Sequence, residues 1–266
     1  MGKTRRRAFL AGLISLMMLA NLFPAGVLAV GESLKLGVNG QNILTAPNYT
    51  VACGSGTAVY DPAASTLTLD GATLNTLYSD AEGNWGCVIF VPNRDLTIVL
   101  KGANPITCSG SGYFGIQAPS SALTIAGDGT LDITSVRDCI HADEIVVDGA
   151  KLSLDGDNGL YARGGETVLH NKAVVTLRNG DNETPGIYGK TGVRAVDSTL
   201  EVSGAWTNGY TAISSPAAIE LDKATGRAEV TSADAGAVLS APAITMTNGS
   251  DVAAETKPRG AFLLRA

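Results

Sequence analysis

The sequence is poor in aromatic residues, in histidine and in cysteine. Aromatic residues make up 5% of its 266 residues, and there are only two histidines and four cysteines. Aromatic side chains supply much of the core in most globular domains, so their scarcity indicates a core of small and aliphatic residues. Two histidines and no Cys-x-x-Cys pair also argue against a zinc site.

Basic charge is scarce as well. The formal net charge is −6, whereas nucleic acids and anionic lipid surfaces bind proteins through a basic patch. We therefore expect neither as a partner. The acidic residues are spread along the chain, which argues against an acidic disordered tail. They predict an acidic surface that favours cations such as Ca²⁺.

Long apolar runs are absent after the first thirty residues. At the N-terminus, four basic residues precede a largely apolar run at 8–23 and small residues at 27–29. This order predicts a secretory signal peptide at 1–29; the alternative is an uncleaved anchor, although a spanning helix needs roughly 20 apolar residues. We expect a secreted, extracellular or cell-surface protein without membrane contact after cleavage. Its formal charge is then about −10, because four basic and no acidic residues are removed.

The most abundant feature is a short repeated pattern. Its sharpest copy, residues 138–154, alternates apolar and polar residues over three short pieces, which is the period of a strand with one buried face. The first piece, residues 139–142, returns at steps of roughly 20 to 28 residues, the scale of solenoid repeats. Its counterparts are residues 87–90, 115–118, 159–162, 186–189, 212–215 and 237–240.

Three short strands per repeat, with no helical period between them, predict an all-β fold. A propeller would need four antiparallel strands per blade and a repeat nearer 40 residues. We therefore expect a single-chain right-handed parallel β-helix of about seven rungs at residues 61–258. Residues 30–60 break the pattern and are the expected cap, since the first rung of a solenoid must be covered. Residues 259–266 form the expected tail.

The cysteines must be judged against this register. Cys87 and Cys139 occupy equivalent positions two rungs apart, which separates their backbones by roughly 9 to 10 Å if rungs stack at about 4.8 Å. That distance is too long for a disulfide, so both are predicted to be buried thiols. The sequence leaves a disulfide between Cys53 and Cys108 as an undecided alternative.

In-register stacking also predicts a column of outward side chains on the first strands. The predicted column comprises Ile89, Gln117, His141, Tyr161, Tyr188, Ser214 and Leu239. Flat rings along a groove stack on sugar faces, and their polar groups form hydrogen bonds. Gln117, His141, Tyr161 and Tyr188 are therefore the candidate ligand-binding residues. The alternative is that the rings only cover one another on an exposed sheet.

Carboxylates and amides recur in the bends before three successive first strands. The candidate metal ligands there are Asp138, Asp157, Asn158 and Asp181. Ca²⁺ binds six to eight such oxygens, which stacked bends can supply together. The alternative is ordinary turn chemistry, because tight bends commonly contain Asp, Asn and Gly.

No catalytic residue is predicted. A glycoside hydrolase needs two or three carboxylates around the scissile bond, and the Gly-His-Gly and Arg-Ile-Lys segments of polygalacturonases do not occur. A lyase needs a base, usually Arg or Lys, beside a Ca²⁺ ion. Arg163 and Lys190 follow their first strands, but nothing in their spacing distinguishes them from solvated surface charges.

Several segments resemble a known group of proteins. Asp-Leu-Thr-Ile-Val-Leu-Lys-Gly-Ala-Asn at 95–104, Leu-Thr-Ile-Ala-Gly-Asp-Gly-Thr-Leu at 123–131 and Asp-Cys-Ile-His-Ala-Asp at 138–143 resemble the secreted β-helix proteins of Firmicutes named as carbohydrate-binding-domain proteins. The resemblance covers roughly residues 57–250. It implies a pectate-lyase-like fold and Ca²⁺-dependent binding of plant polysaccharides without catalysis. The chain departs from the pattern at Cys139, where the group usually has Gly.

Together these observations predict a secreted, non-catalytic polysaccharide-binding protein that is assisted by Ca²⁺. The polysaccharide is expected to come from plants or microbes. An extracellular structural or adhesive protein is the first alternative, and a pectate-lyase-like polysaccharide lyase is the second.

Overall fold

The computed structural model describes residues 35–79, 86–109, 113–182, 184–207, 209–232, 237–256 and 262–265. The predicted signal peptide lies outside these ranges. In the described residues the secondary structure is almost all strand, with two short 3₁₀ helices and no α-helix. None of their helices has the length and apolar character needed to cross a membrane.

The N-terminal elements precede the regular repeats. They are β1 (Gly37–Val38), β2 (Gln41–Asn42), two 3₁₀ helices (Ile43–Thr45 and Pro47–Tyr49), β3 (Thr50–Cys53), β4 (Gly56–Asp61) and β5 (Thr66–Asp70). The central strands are β6 (Cys87–Phe90), β7 (Leu96–Lys101), β8 (Ala103–Thr107), β9 (Phe114–Gly127), β10 (Thr130–Thr134), β11 (Asp138–Asp148), β12 (Lys151–Asp155), β13 (Asn158–Ala162), β14 (Glu166–His170) and β15 (Val174–Asn182). The C-terminal strands are β16 (Ile187–Gly189), β17 (Gly192–Val196), β18 (Thr199–Trp206), β19 (Ile213–Ser214), β20 (Ala218–Asp222), β21 (Thr225–Val230), β22 (Ala237–Ser240), β23 (Ala243–Thr247), β24 (Asp251–Thr256) and β25 (Phe262–Arg265).

These strands form a parallel β-solenoid, which confirms the predicted all-β repeat fold. It has about six turns, rather than the seven rungs expected. The third strands of successive turns form one parallel sheet in the order β24-β21-β18-β15-β12-β10-β8. The first and second strands belong to a second sheet, and the long strands β9 and β11 contribute to both of these positions.

The predicted cap pairs with the solenoid in an antiparallel direction. Strand β1 pairs with β6, while β3, β4 and β5 form an antiparallel meander, and β5 then pairs in parallel with β7. The cap strands pair with the backbone hydrogen-bonding groups of the first turn, which would otherwise form an open edge. At the other end, β25 lies within the predicted tail and pairs in parallel with β22.

The core consists of aliphatic rows that run along the solenoid. In the first strands, one row joins Ile116, Ile140, Leu160, Ile187 and Ile213 across successive turns, and each is fully buried. Burial of one such side chain contributes about 1.5–3 kcal/mol, and stacking in register adds dispersion contacts along the row. Because inward positions alternate with outward ones, the same register aligns the outward side chains of these strands.

The four cysteines are all buried free thiols. The expectation for Cys87 and Cys139 is therefore confirmed, and the bridge left open between Cys53 and Cys108 is not formed. Burial raises the pKa of Cys53 and raises the pKa of Cys108 to about 11.

Candidate functional site

Three rings lie one above another on the outer face of the first strands. Parallel pairing sets His141 opposite Tyr161 and Tyr161 opposite Tyr188. The centroids are 5.1 Å apart for His141 and Tyr161, and 4.9 Å apart for the two tyrosines, whose planes differ by 17°. We call His141, Tyr161 and Tyr188 the ring column.

The rings of this column cover one another's faces. A sugar placed between two rings would need about 7 Å, that is, two contacts of about 3.5 Å each, and the strand spacing does not provide it. A sugar therefore has no room between two neighbouring rings of the column. The column presents ring edges, two phenol groups and an imidazole to a ligand.

The column is shorter at both ends than the outward pattern predicts. Gln117 does lie opposite His141, but its other register partner is Phe90, and Ile89 pairs with the core residue Ile116. At the far end Ser240, not Leu239, lies opposite Ser214. Ile89 and Leu239 are buried. A shift of one residue in the pairing register moves a side chain to the opposite face of the sheet. At each end of the column this shift places an apolar side chain, Ile89 or Leu239, in the core.

A chain of hydrogen bonds leads from the corner of the solenoid to His141. Asp138 Oδ2 lies 2.6 Å from His141 Nδ1, and Asn158 Nδ2 donates to Asp138 Oδ1 at 2.6 Å. Thr184 Oγ1 donates to Asn158 Oδ1. Asp138 and Asn158 are buried, at 4% and 2% exposure. Buried polar groups that are all hydrogen-bonded hold one another in a fixed arrangement.

This chain fixes the orientation and tautomer of the imidazole. An ionised carboxylate only accepts hydrogen bonds, so Asp138 accepts the proton of His141 Nδ1 and leaves Nε2 as the acceptor. The described residues supply no hydrogen-bond partner for Nε2. The His141 side chain keeps 18% of its surface exposed.

The ring column and the hydrogen-bonded corner meet in one open cleft of about 500 Å³. The cleft is lined by Arg137, Asp138, His141, Asp157, Asn158, Tyr161 and Thr184. The cleft therefore brings together two of the predicted ligand-binding residues and three of the predicted metal ligands, whereas Gln117 and Tyr188 do not line it. Arg163 and Lys190, the lyase candidates, are exposed after their strands and do not line this cleft.

The two tyrosines of the column have shifted acidities. Burial raises the pKa of Tyr161, and the neighbouring Tyr188 and Asp138 raise it further; burial also raises the pKa of Tyr188. Both phenols are therefore protonated at neutral pH and can donate hydrogen bonds, and Tyr161 lines the cleft.

Protein partners already bind several of the oxygens that the sequence predicted as calcium ligands. Both oxygens of Asp138 and the amide oxygen of Asn158 already bond to protein partners, and Asp157 contributes the other carboxylate of the cleft. The Asp181 side chain lies outside the described part of the chain. In that part no three His, Cys, Asp or Glu side chains come together as metal ligands.

Three residues of the site were missed by sequence reasoning. Arg137 lies with its guanidinium carbon 5.4 Å from the centroid of the Phe114 ring, and Phe114 packs edge-on against His141 at 5.4 Å. Thr184 closes the hydrogen-bonded chain from a segment 26 residues beyond Asn158. Phe114 was detectable, since it directly precedes a recognised repeat; the loop carrying Thr184 has no repeat pattern.

Comparison with protein-family models, with curated proteins and with solved structures gives no match in any of the three. The resemblance in sequence is thus supported in its fold, a parallel β-solenoid, and has no further support as a family relationship.

Proposed function

We propose that the protein binds an acidic polysaccharide along the ring column and the adjoining cleft. The observation that carries the proposal is the stacking of His141, Tyr161 and Tyr188 beside an open cleft. Ring edges give an apolar surface, and the phenols and imidazole give directional hydrogen bonds, which is the usual composition of a ligand site. The predicted signal peptide adds support, because it implies an extracellular protein that meets such polymers.

One basic residue gives an acidic polymer a group to bind in a cleft that also contains the carboxylates of Asp138 and Asp157. Arg137 is the basic residue that lines it, and a guanidinium is suited to binding a carboxylate. The protein as a whole is acidic, so this local cation is needed to offset repulsion between the two partners.

Affinity electrophoresis in gels containing pectin, xylan, soluble cellulose or host glycans tests this proposal. We expect retardation by a uronate-rich polymer such as pectin. Replacing Tyr161 and Tyr188 together by Ala should weaken binding by about tenfold or more, which corresponds to ~1.4 kcal/mol. The double variant should lose only about 1 kcal/mol of stability, from the stacking of the rings.

Tyr49→Ala is the matched control, because it removes an exposed tyrosine from the cap. It should leave the retardation unchanged. Full affinity in the double variant would place the site elsewhere. Failure of the wild type to bind any glycan would contradict the proposal and favour the structural or adhesive alternative.

Calcium assistance stays a prediction. A Ca²⁺ ion would have to use the second lone pairs of oxygens that are already bonded, together with Asp157. If it binds the folded protein only, millimolar Ca²⁺ should raise the melting temperature above that in a chelator. An unchanged melting temperature would remove Ca²⁺ from the proposal and leave polysaccharide binding intact.

A further inference from the structure

We propose that the cleft also cleaves its ligand, with His141 as the base of a β-elimination on a uronic acid residue. The inference rests on the proposed binding of an acidic polysaccharide and departs from the sequence-based expectation of binding without cleavage. What carries it is the pair formed by buried Asp138 and His141 at the wall of an open cleft.

The pair has the features of an oriented general base. Asp138 is almost fully buried, and Asn158 holds its second oxygen, so the carboxylate stays in place. With Nδ1 bonded to Asp138, His141 offers Nε2 as a proton acceptor, and the described residues leave that atom without a hydrogen-bond partner. A base needs this combination of fixed geometry and an accessible lone pair.

The chain's other histidine shows that the arrangement is particular to the cleft. His170 lies 3.4 Å from Asp148, and both side chains are far more exposed, at 31% and 40%. Asp148 is also bonded by Asn171 on the surface. A loose, solvated pair of this kind has little effect on the orientation of an imidazole.

The cleft supplies the other groups that an elimination requires. Tyr161 stacks on His141 and carries a protonated phenol, which can serve as the acid. Arg137 can bind the carboxylate of the uronic acid residue, and this contact makes the proton on the adjacent carbon more acidic.

The reaction balances without an oxidant or a further reagent. His141 Nε2 takes the proton from C5, and the electrons of the C5–H bond form a double bond between C4 and C5. The bond from C4 to the glycosidic oxygen breaks, and that oxygen takes a proton from the Tyr161 phenol. Proton exchange with water restores both side chains.

Hydrolysis is less suited to this cleft. A glycoside hydrolase places two free carboxyl groups on either side of the bond, but one of the two carboxylates that line the cleft, Asp138, is buried and committed to His141 and Asn158. Acyl transfer would need an activated hydroxyl nucleophile, and the Thr184 hydroxyl is already bonded to Asn158.

The test is incubation of the full chain with polygalacturonate, alginate and glucuronan, followed by ultraviolet spectra and mass spectrometry of the products. We expect oligomers with a double bond conjugated to the carboxylate. His141→Ala and Tyr161→Phe should each lower the rate at saturating substrate by about a hundredfold or more. His170→Ala is the matched control and should keep the full rate.

Asp138→Asn tests the positioning role. An Asn side chain can still accept from Asn158, but its amide nitrogen donates to His141 Nδ1 and moves the imidazole proton to Nε2, where it blocks the base. We expect kcat to fall strongly while KM changes only a few-fold and the melt stays close to that of the wild type. A change in KM alone would contradict this role.

The outcomes separate binding from catalysis. A wild type that binds the polyuronates but releases no unsaturated product would overturn the elimination and leave the binding proposal standing. Saturated products would also overturn it, in favour of hydrolysis. Unsaturated products that persist in His141→Ala would exclude His141 as the base. Absence of both binding and product would remove both proposals.

Discussion

Asn104 shows how one polar side chain can secure the first full turn of the solenoid. It is fully buried, and its amide oxygen accepts from the backbone N–H of Ala72 at 2.9 Å. Its amide nitrogen lies within bonding distance of the carbonyls of Lys101, Gly102 and Thr130. The carbonyls of Lys101 and Gly102 also accept from the backbone N–H groups of Gly71 and Thr130, so the side chain adds to the backbone ladder and gives the N–H of Ala72 its acceptor.

Replacing Asn104 by Ala should destabilise the protein by about 1–3 kcal/mol, since the buried N–H of Ala72 loses its acceptor. Asn75→Ala is the control: that side chain accepts one exposed hydrogen bond from Thr76 Oγ1, and its loss should change stability by about 0.5 kcal/mol or less. Urea unfolding followed by circular dichroism measures both. Equal losses in the two variants would show that Asn104 does not hold the bends.

The position of Asn104 could not be predicted from the repeat. Its register partner in the next turn is Leu131, and the row continues with Leu152, Val175 and Leu200. Periodicity assigns this row to the core, and the structure agrees. Periodicity does not explain why the first member of this core row is an asparagine, because the need for its hydrogen bonds arises from the bends around it.

At the scale of the strand, the middle of the solenoid was predictable and its ends were not. Alternation in the central repeats places Ile140 inward and His141 outward, as observed. In the first and last copies two or three apolar residues occur in succession, so the pattern does not fix which one faces the core. There the pairing with the cap and with the last turn decides the register. Phe90 and Ser240, instead of Ile89 and Leu239, then occupy the outward positions of the column.

The alternation of the central repeats also predicted the ring column, but it did not predict the pair formed by Asp138 and His141. Residues three apart in a regular strand point to opposite faces. The two side chains meet because Asp138 begins β11 directly after a bend. Spacing alone contains no information about that bend, and it is the bend that joins the two predicted sets of residues.

Close approach between strands β18 and β21 should make Gly226 irreplaceable. Its φ is +135°, and a Cβ atom there would lie 1.8 Å from the carbonyl oxygen of Leu200. Gly226→Ala should therefore cost roughly 3 kcal/mol or more, from strained backbone and from steric overlap together.

Gly249→Ala separates the two causes, since Gly249 also has positive φ, at +79°, but has nothing within 4 Å of a Cβ atom. It should cost about 1 kcal/mol from the backbone alone. Thermal unfolding of both variants gives the comparison. A smaller loss for Gly226→Ala than for Gly249→Ala would mean that the two strands can separate locally without cost.

For the whole molecule, the core of stacked small side chains includes thiols that must remain uncharged. Burial raises the pKa of the Cys53, Cys108 and Cys139 thiols, and on the outer face partial burial raises the pKa of the Tyr161 and Tyr188 phenols. The unfolded chain ionises its thiols near pH 8.5, whereas the folded chain keeps them protonated to higher pH. Their contribution to stability is thus complete below about pH 8.5 and is lost as the pH rises.

We therefore expect the free energy of unfolding to fall between about pH 8.5 and about pH 11. The decline begins where the unfolded thiols ionise and continues through the pKa of about 11 for Cys108. Urea titrations across this range, under reducing conditions, measure this fall in the free energy of unfolding.

A variant with Cys53, Cys108 and Cys139 replaced by Ala is less stable at every pH, because it leaves cavities, but its decline should be shallower. The comparison uses the slopes, so the lower starting stability does not affect it. Parallel slopes for the two proteins would show that the buried thiols do not cause the loss at alkaline pH.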